Sequence, residues 1–275
     1  MAGAGRGPKG TPQGTPGERA LEERAFEVVS LDARPELAVA ALELLAVGWP
    51  EFMQHDPVAE RHQARLASEL ARFQALLLDD RDELAALGVA VPFAWDGTLA
   101  GLPAGWDAVL TQGVADLDAG RRPTALAALS VTVAPARRGQ GLSRLVIRAL
   151  KDTAARAGLG TLLAPVRPSA KSAYPLTPME RYVRWSRPDG TPFDPWLRTH
   201  WRLGGEVLEV CPASMAITAE VAAWEDWTGL AFPETGPYVV PGALVPVAID
   251  RERDLGRYLE PNVWLRHRCG ANLPT

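Results

Sequence analysis

The sequence predicts an α/β fold with a mixed (α+β) sheet that is parallel at its centre. Three observations carry this. "TALAALSVTVA" (Thr124–Ala134) is a nearly unbroken apolar run of strand-compatible residues, the pattern of a strand buried on both faces. From Leu142 to Ala157 apolar residues recur at i, i+3, i+4 and i+7, with Arg144, Arg148, Lys151 and Arg156 mainly on the other face, and Gly158 ends the helix. "GTLLAPVRP" then reads as a strand again. Strand, tight turn, helix and strand make a βαβ unit, so the two strands run parallel.

The other elements follow in order. Residues 1–24 are Gly/Pro-rich and poor in large apolar side chains, which predicts a disordered tail, with residues 25–275 forming a single domain. "AFEVVSL" (Ala25–Leu31) reads as a strand and "DARPE" as a turn. "ELAVAALELLAVGW" is helical in character, Pro50 and Pro57 interrupt it, and "VAERHQARLASELARF" resumes at helical spacing. Two apolar runs flank "DDRDE", which predicts a hairpin, and "PAGWDAVLTQGVADLDAG" fits a helix. Beyond Pro168 the chain is irregular, proline-rich and aromatic, which predicts a long insertion after the fifth strand. Asp194-Pro195 supplies a cap and first turn for "WLRTHWRL", stopped by Gly204-Gly205. "EVLEVCPASMAI" and "ALVPVAID" read as strands with the helix "EVAAWEDWTGL" between them.

Composition narrows the function. The 275 residues carry a net charge of −4, with no global basic footprint for nucleic acid. No apolar run has a membrane-spanning length and no signal peptide is legible, so a cytoplasmic protein is expected. Cys211 and Cys269 lack metal-ligand spacing, and no metal is expected.

The chemistry concentrates in "ARRGQGLS". A helix start leaves main-chain N–H groups unpaired at the positive end of the helix dipole, and glycines let them approach an anion closely. Arg137, Arg138 and Arg144 add charge, so this turn reads as a pyrophosphate cradle. The Walker loop needs a lysine after its last glycine, and none follows. The dinucleotide motif needs a third glycine where Arg144 stands. The acyl-coenzyme-A pattern [Q/R]-x-x-G-x-[G/A] fits Ala136–Gly141, with Ala136 in place of the leading Gln or Arg. On this motif and the order of elements, the chain resembles the GCN5-related N-acetyltransferase (GNAT) superfamily. A helix inserted before the central strand departs from that layout.

The resemblance implies an acyl-CoA-dependent N-acyltransferase, with acetyl-CoA or another acyl-CoA as co-substrate and a small-molecule amine as acceptor. A homodimer is left open. It implies a pantetheine arm paired with Val131 and Val133, and a pyrophosphate on Arg138, Gly139, Gln140, Gly141, Leu142, Ser143 and Arg144. Attack of the amine on the thioester calls for a base and an acid. By resemblance the acid is Tyr174, with Tyr182 second. Glu51 and Asp56, at the break between the first two helices, are candidate acceptor contacts, as is Arg184 in the insertion, which is expected to wall the pocket. His55 and His200 are ambiguous. Trp185, Trp196, Trp201, Trp224 and Trp227 serve either core packing or a flat apolar pocket. Two alternatives share the cradle: a non-enzymatic acyl-CoA-binding protein, and an acyl-thioester hydrolase or decarboxylase.

Overall fold

The computed structural model describes residues 26–270; the tail assigned to residues 1–24 lies outside them. Among the described residues nine strands form one sheet in the order β1-β2-β3-β4-β5-β9-β8-β7, with β6 also on β9. The strands are β1 (Glu27–Ser30), β2 (Ala75–Leu78), β3 (Leu84–Phe93), β4 (Ala125–Val133), β5 (Thr161–Val166), β6 (Glu206–Ala219), β7 (Gly236–Tyr238), β8 (Val247–Asp250) and β9 (Leu255–Arg268). The helices are α1 (Ala38–Val47), α2 (Pro57–Ala67), α3 (Trp106–Asp118), α4 (Leu142–Arg156), α5 (Met179–Tyr182), α6 (Pro195–Arg202) and α7 (Val221–Thr228).

The hairpin and the βαβ unit form as the sequence predicts: β2 and β3 are antiparallel across residues 79–83, and β4 and β5 are parallel. Helices cover both faces of β3. A Cβ at Gly88 would lie 2.6 Å from Val146 of α4, whereas one at Gly113 of α3 would lie 2.4 Å from Val91. Residues 88 and 91, three apart, point to opposite faces. The absence of side chains at these two glycines lets both helices pack close, with Leu145, Val146, Ala149 and Leu150 of α4 buried.

Two expectations need correction. The second helix ends at Ala67 rather than continuing to Phe73. The Ser68 hydroxyl donates back to Ala64 O at 2.8 Å, its backbone leaves the helical region, and Ala71–Phe73 form a short 3-10 turn instead. The fourteen-residue β9 carries no strand reading in the sequence, yet it organises the C-terminal half. Arg266 of β9 pairs with both Leu163 and Glu206, and Gly256 with both Ile249 and Ala219. One edge of β9 therefore takes β5 and β8, and the other takes β6.

Candidate active site

The site begins with a failure of strand pairing. β4 and β5 share only two partners, Leu126↔Leu162 and Ala127↔Leu163, although both strands continue. The reason lies in β5. Cys269 N–H donates to Gly160 O at 2.9 Å, so in the antiparallel alternation Leu162, Ala164 and Val166 direct their main-chain groups to β9. Pro165 then faces β4, and it has no N–H to give. The ladder ends and the strands diverge.

On the other side, Ala134 N–H donates to Ala85 O at 2.9 Å. The same alternation pairs Thr132 and Ser130 with β3 and turns the main-chain groups of Val131 and Val133 towards β5. The register slips between Val89 and Ala90, which leaves Leu129 as a one-residue bulge on β4. Trp106 Nε1 donates to Leu129 O at 2.8 Å and pins the bulge. A cleft of about 420 Å³ results, bounded by residues 128–133 of β4, 164–167 of β5 and its continuation, and Trp196 and His200 of α6.

At the open end lies a second concavity of about 580 Å³, lined by residues 137–144 with Val133, Thr199 and Arg202. Gly139 (φ 81°) and Gly141 (φ 79°) adopt left-handed backbone, which favours glycine. Gly141 caps α4 without a side-chain acceptor of its own, and the Arg144 N–H of the first turn donates to Gly141 O at 3.0 Å. Arg137 is committed elsewhere, in an ion pair with the buried Asp79 of the hairpin turn.

A third groove, about 430 Å³, runs between α1 and α2. Trp49, Met53, Trp106 and Met215 give it apolar walls, and the exposed Glu43 and Glu60 stand in its lining. It shares Trp49, Leu129 and Ser130 with the first cleft, so the two meet at the β4 bulge.

No family model matches the chain. An arginine N-acetyltransferase, avaD of Aspergillus versicolor, is 37% identical over 247 residues, covering 80% of this chain and 84% of the relative. This chain belongs to the GCN5-related N-acetyltransferase superfamily. Solved structures bear out the fold. The loading GNATL domain of CurA from Lyngbya majuscula superposes with a TM-score of 0.58 at 15% identity, over 88% of this chain and 97% of that one. The GphF GNAT-like decarboxylase, in complex with isobutyryl-CoA, superposes with a TM-score of 0.51 at 18% identity, over 88% and 98%.

In this acyltransferase Val131, Val133, Arg138 and the run Gly139–Arg144 all line one or other of the first two clefts. The expected catalytic and acceptor residues are placed differently. Tyr174 packs against Tyr182, Trp185 and Phe193, with ring centroids 5.0–5.9 Å apart. Arg184 is exposed, and of residues 169–194 only Ser169 lines either cleft. Asp194 organises that segment: it accepts from Ser169 N, Ala170 N and the Tyr182 hydroxyl while capping α6. Glu51 is exposed and lies 3.3 Å from His55, which stacks on Trp227. The tryptophans divide: Trp196 lines the cleft, Trp224 is fully buried beside Phe52, and Trp201 is exposed.

Asp56 is fully buried, and its Oδ1 caps α2 by accepting from Val58 N and Ala59 N, both at 2.8 Å. Its Oδ2 and Asp107 Oδ1 are both buried with no donor among the described residues. The two carboxyl groups bear directly on one another, and their burial favours one proton held between them. Burial first, and then the Asp56 charge, push Asp107 up to about 8; burial also raises Asp56. Asp107 Oδ2 accepts from Ala216 N at 3.0 Å, so the pair ties the helix break to α3 and β6.

Sequence reasoning missed a second buried group. Arg167, which lines the cleft, donates from Nε to Glu260 at 2.9 and 3.0 Å, and from Nη2 to the Gly242 carbonyl. Tyr258 and Asn262 also donate to Glu260, at 3.0 and 3.2 Å. Arg167 was open to recognition, as a basic residue directly after the strand that borders the cleft. Glu260 lies in β9, whose strand character the sequence conceals.

Proposed function

We propose that this acyl-CoA-dependent N-acyltransferase transfers the acetyl group of acetyl-CoA to the amine of a small acceptor that carries a second cationic group, as arginine does. The divergence of β4 from β5, with an anion cradle at its open end, is the observation that carries the reading. The main-chain N–H groups of Gly139–Ser143 and the dipole of α4 would hold the pyrophosphate, with the Arg144 N–H donating to Gly141 O. The pantetheine arm would pair with Val131 and Val133 in place of the partner that β5 withdraws.

The groove between α1 and α2 would admit the acceptor to the β4 bulge. Its apolar walls suit an alkyl stem, and Glu43 and Glu60 offer negative charge to a distal cation. The related arginine N-acetyltransferase is named for an acceptor with both features. The amine nitrogen bonds to the thioester carbonyl carbon, the C–S bond breaks, and CoA leaves as a thiolate. The arriving ammonium must first lose a proton, which passes to solvent or a base, and the thiolate takes one up. Tyr174 lies outside the cleft lining and packs on Trp185, which supports a packing role for it in this reading.

The test offers acetyl-CoA with arginine, with lysine, and with an amine of similar length lacking a second cation, followed by thiol release and product mass. Turnover is expected with the dicationic acceptors and weak with the third. Equal turnover with all three would remove the role of the acidic lining. Absence of any CoA-dependent rise in melting temperature would overturn the cleft assignment itself.

A further inference from the structure

The concavity at the open end of the cleft carries positive charge on two separate walls, and the glycine turn accounts for only one of them. Its volume of about 580 Å³ is that of a pocket for a whole small molecule, larger than a pyrophosphate requires. One wall is residues 137–144 with the start of α4; the other is α6, which contributes Thr199 and Arg202. Among the described residues this lining contains four arginines and no carboxylate.

The four arginines are differently engaged. Arg137 is neutralised by Asp79. Arg144 folds back over its own turn, since a Cβ at Gly141 would lie 2.6 Å from its Nη2. Arg138 and Arg202 are both exposed, and neither side chain makes a hydrogen bond or ion pair among the described residues. Arg138 stands in the glycine turn itself, beside the main-chain N–H groups that would hold the pyrophosphate. Arg202 faces it from the other wall.

α6 is held at both ends, which places Arg202. At its start Asp194 accepts from Trp196 N at 2.8 Å and Leu197 N at 3.0 Å, and from Ala170 N, shortly after β5, at 2.8 Å. Just past its end the Leu203 carbonyl accepts from Lys151 Nζ of α4 at 3.3 Å. The Thr199 hydroxyl donates to Pro195 O at 3.1 Å, so its proton is already used. Arg202 is therefore the free donor on this wall.

CoA is anionic in two places. Its pyrophosphate is a diester, whereas the ribose 3′-phosphate is a monoester with about −1.5 to −2 charge at pH 7, set apart from the pyrophosphate by the sugar. A main-chain cradle on one wall and a guanidinium on the other match that division. We propose that Arg202 binds the 3′-phosphate of the coenzyme, so that α6 reads its nucleotide end. The inference rests on the reading that the glycine turn holds the pyrophosphate of an acyl-CoA. It adds the residue that distinguishes CoA from dephospho-CoA, and from a pantetheine thioester that lacks the nucleotide.

The test is calorimetric titration of the full chain with CoA and with dephospho-CoA, at low and at high salt. At low salt the unsubstituted protein should bind CoA about 5- to 20-fold more tightly, the effect of one charge-assisted contact screened by solvent, and the preference should shrink at high salt. Arg202→Gln should weaken CoA alone and bring the two affinities within about twofold. Arg202→Lys, which keeps the charge without the planar fork, should retain part of the preference. Because Arg202 is exposed, both variants should fold with an unchanged melting temperature. Equal affinity for the two ligands in the unsubstituted protein would sink the inference and leave the cleft assignment standing. So would an equal loss of both ligands in Arg202→Gln, which would put Arg202 on the pyrophosphate, or a preference that survives that substitution. If neither ligand raises the melting temperature of the unsubstituted protein, the cleft assignment falls as well.

Discussion

Asp107→Asn tests the buried carboxylate pair through the pH dependence of stability. Burial and Asp56 raise Asp107 in the folded protein to about 8, above its ordinary value of 3.8, so the native state keeps a proton that the unfolded chain loses. The resulting stability is fully present below the unfolded pKa and is lost as pH rises through about 8. One retained proton makes the slope at most about 1.4 kcal/mol per pH unit, or about 2.7 kcal/mol between pH 5 and pH 7. The partial exposure of Asp107 brings the expected figure to about 1–2 kcal/mol. The amide introduced by the substitution can still accept from Ala216 N and can give Asp56 Oδ2 an N–H without titrating.

The assay is urea denaturation of both proteins at several pH values from about 5 to about 8. Titrating groups common to both cancel in the difference. The variant should gain on the unsubstituted protein by about 1–2 kcal/mol across that range, about 2–8 °C in melting temperature. A difference that stays flat with pH, or one that moves the other way, would show that the two carboxyl groups share no proton.

Four further outcomes are open to measurement. Gly141→Asp should abolish the CoA-dependent melting shift: it strains a φ of 79°, crowds Arg144 and sets a carboxylate where phosphate must approach. A normal shift in that variant would exclude the helix start as the anion cradle. Arg167→Met leaves Glu260 buried without its cation and should cost about 3–5 kcal/mol, whereas a melting temperature within about 2 °C would show that Tyr258 and Asn262 suffice. Pro165→Val restores an N–H facing β4 and should weaken CoA binding; unchanged affinity would mean that something else holds the strands apart. Tyr174→Phe should keep turnover within about twofold, since ring packing is preserved, and a tenfold loss at constant CoA affinity would put the hydroxyl in the chemistry.

What the sequence made legible was local. The glycine–arginine turn, the helix behind it and the strands on either side are set by backbone chirality and short periodicity, and the structure assembles those residues at two adjoining clefts. β9 was hidden because Glu260, Asn262 and His267 interrupt its apolar residues and Pro261 stands in its middle. It is a strand because β5, β6 and β8 all pair with it, which no local pattern expresses. Asp107 is illegible for a similar reason, since its partner Asp56 lies beyond an intervening hairpin in the chain. Asp56 is a different case. Asp56-Pro57 carries the same cap signal as Asp194-Pro195, and both aspartates cap helices.

The cleft is a problem in main-chain pairing before it is one in catalysis. A sheet normally uses every N–H and C=O of a central strand, and two neighbouring strands cannot diverge without leaving such groups unpaired. Here Pro165 removes one donor, and the Trp106 indole takes the Leu129 carbonyl at the bulge. The main-chain groups at Val131 and Val133 remain, facing the gap in register. They form an incomplete ladder of the width of one extended chain. An extended ligand with amides along its length completes that ladder, and a compact one of equal charge cannot. The pyrophosphate cradle therefore supplies attraction, and the broken pairing of β4 and β5 supplies selectivity for the arm. On this argument a short adenine nucleotide should bind at the cradle yet leave the main-chain amides of Val131 and Val133 as fast to exchange as in the unliganded protein, whereas CoA should slow both.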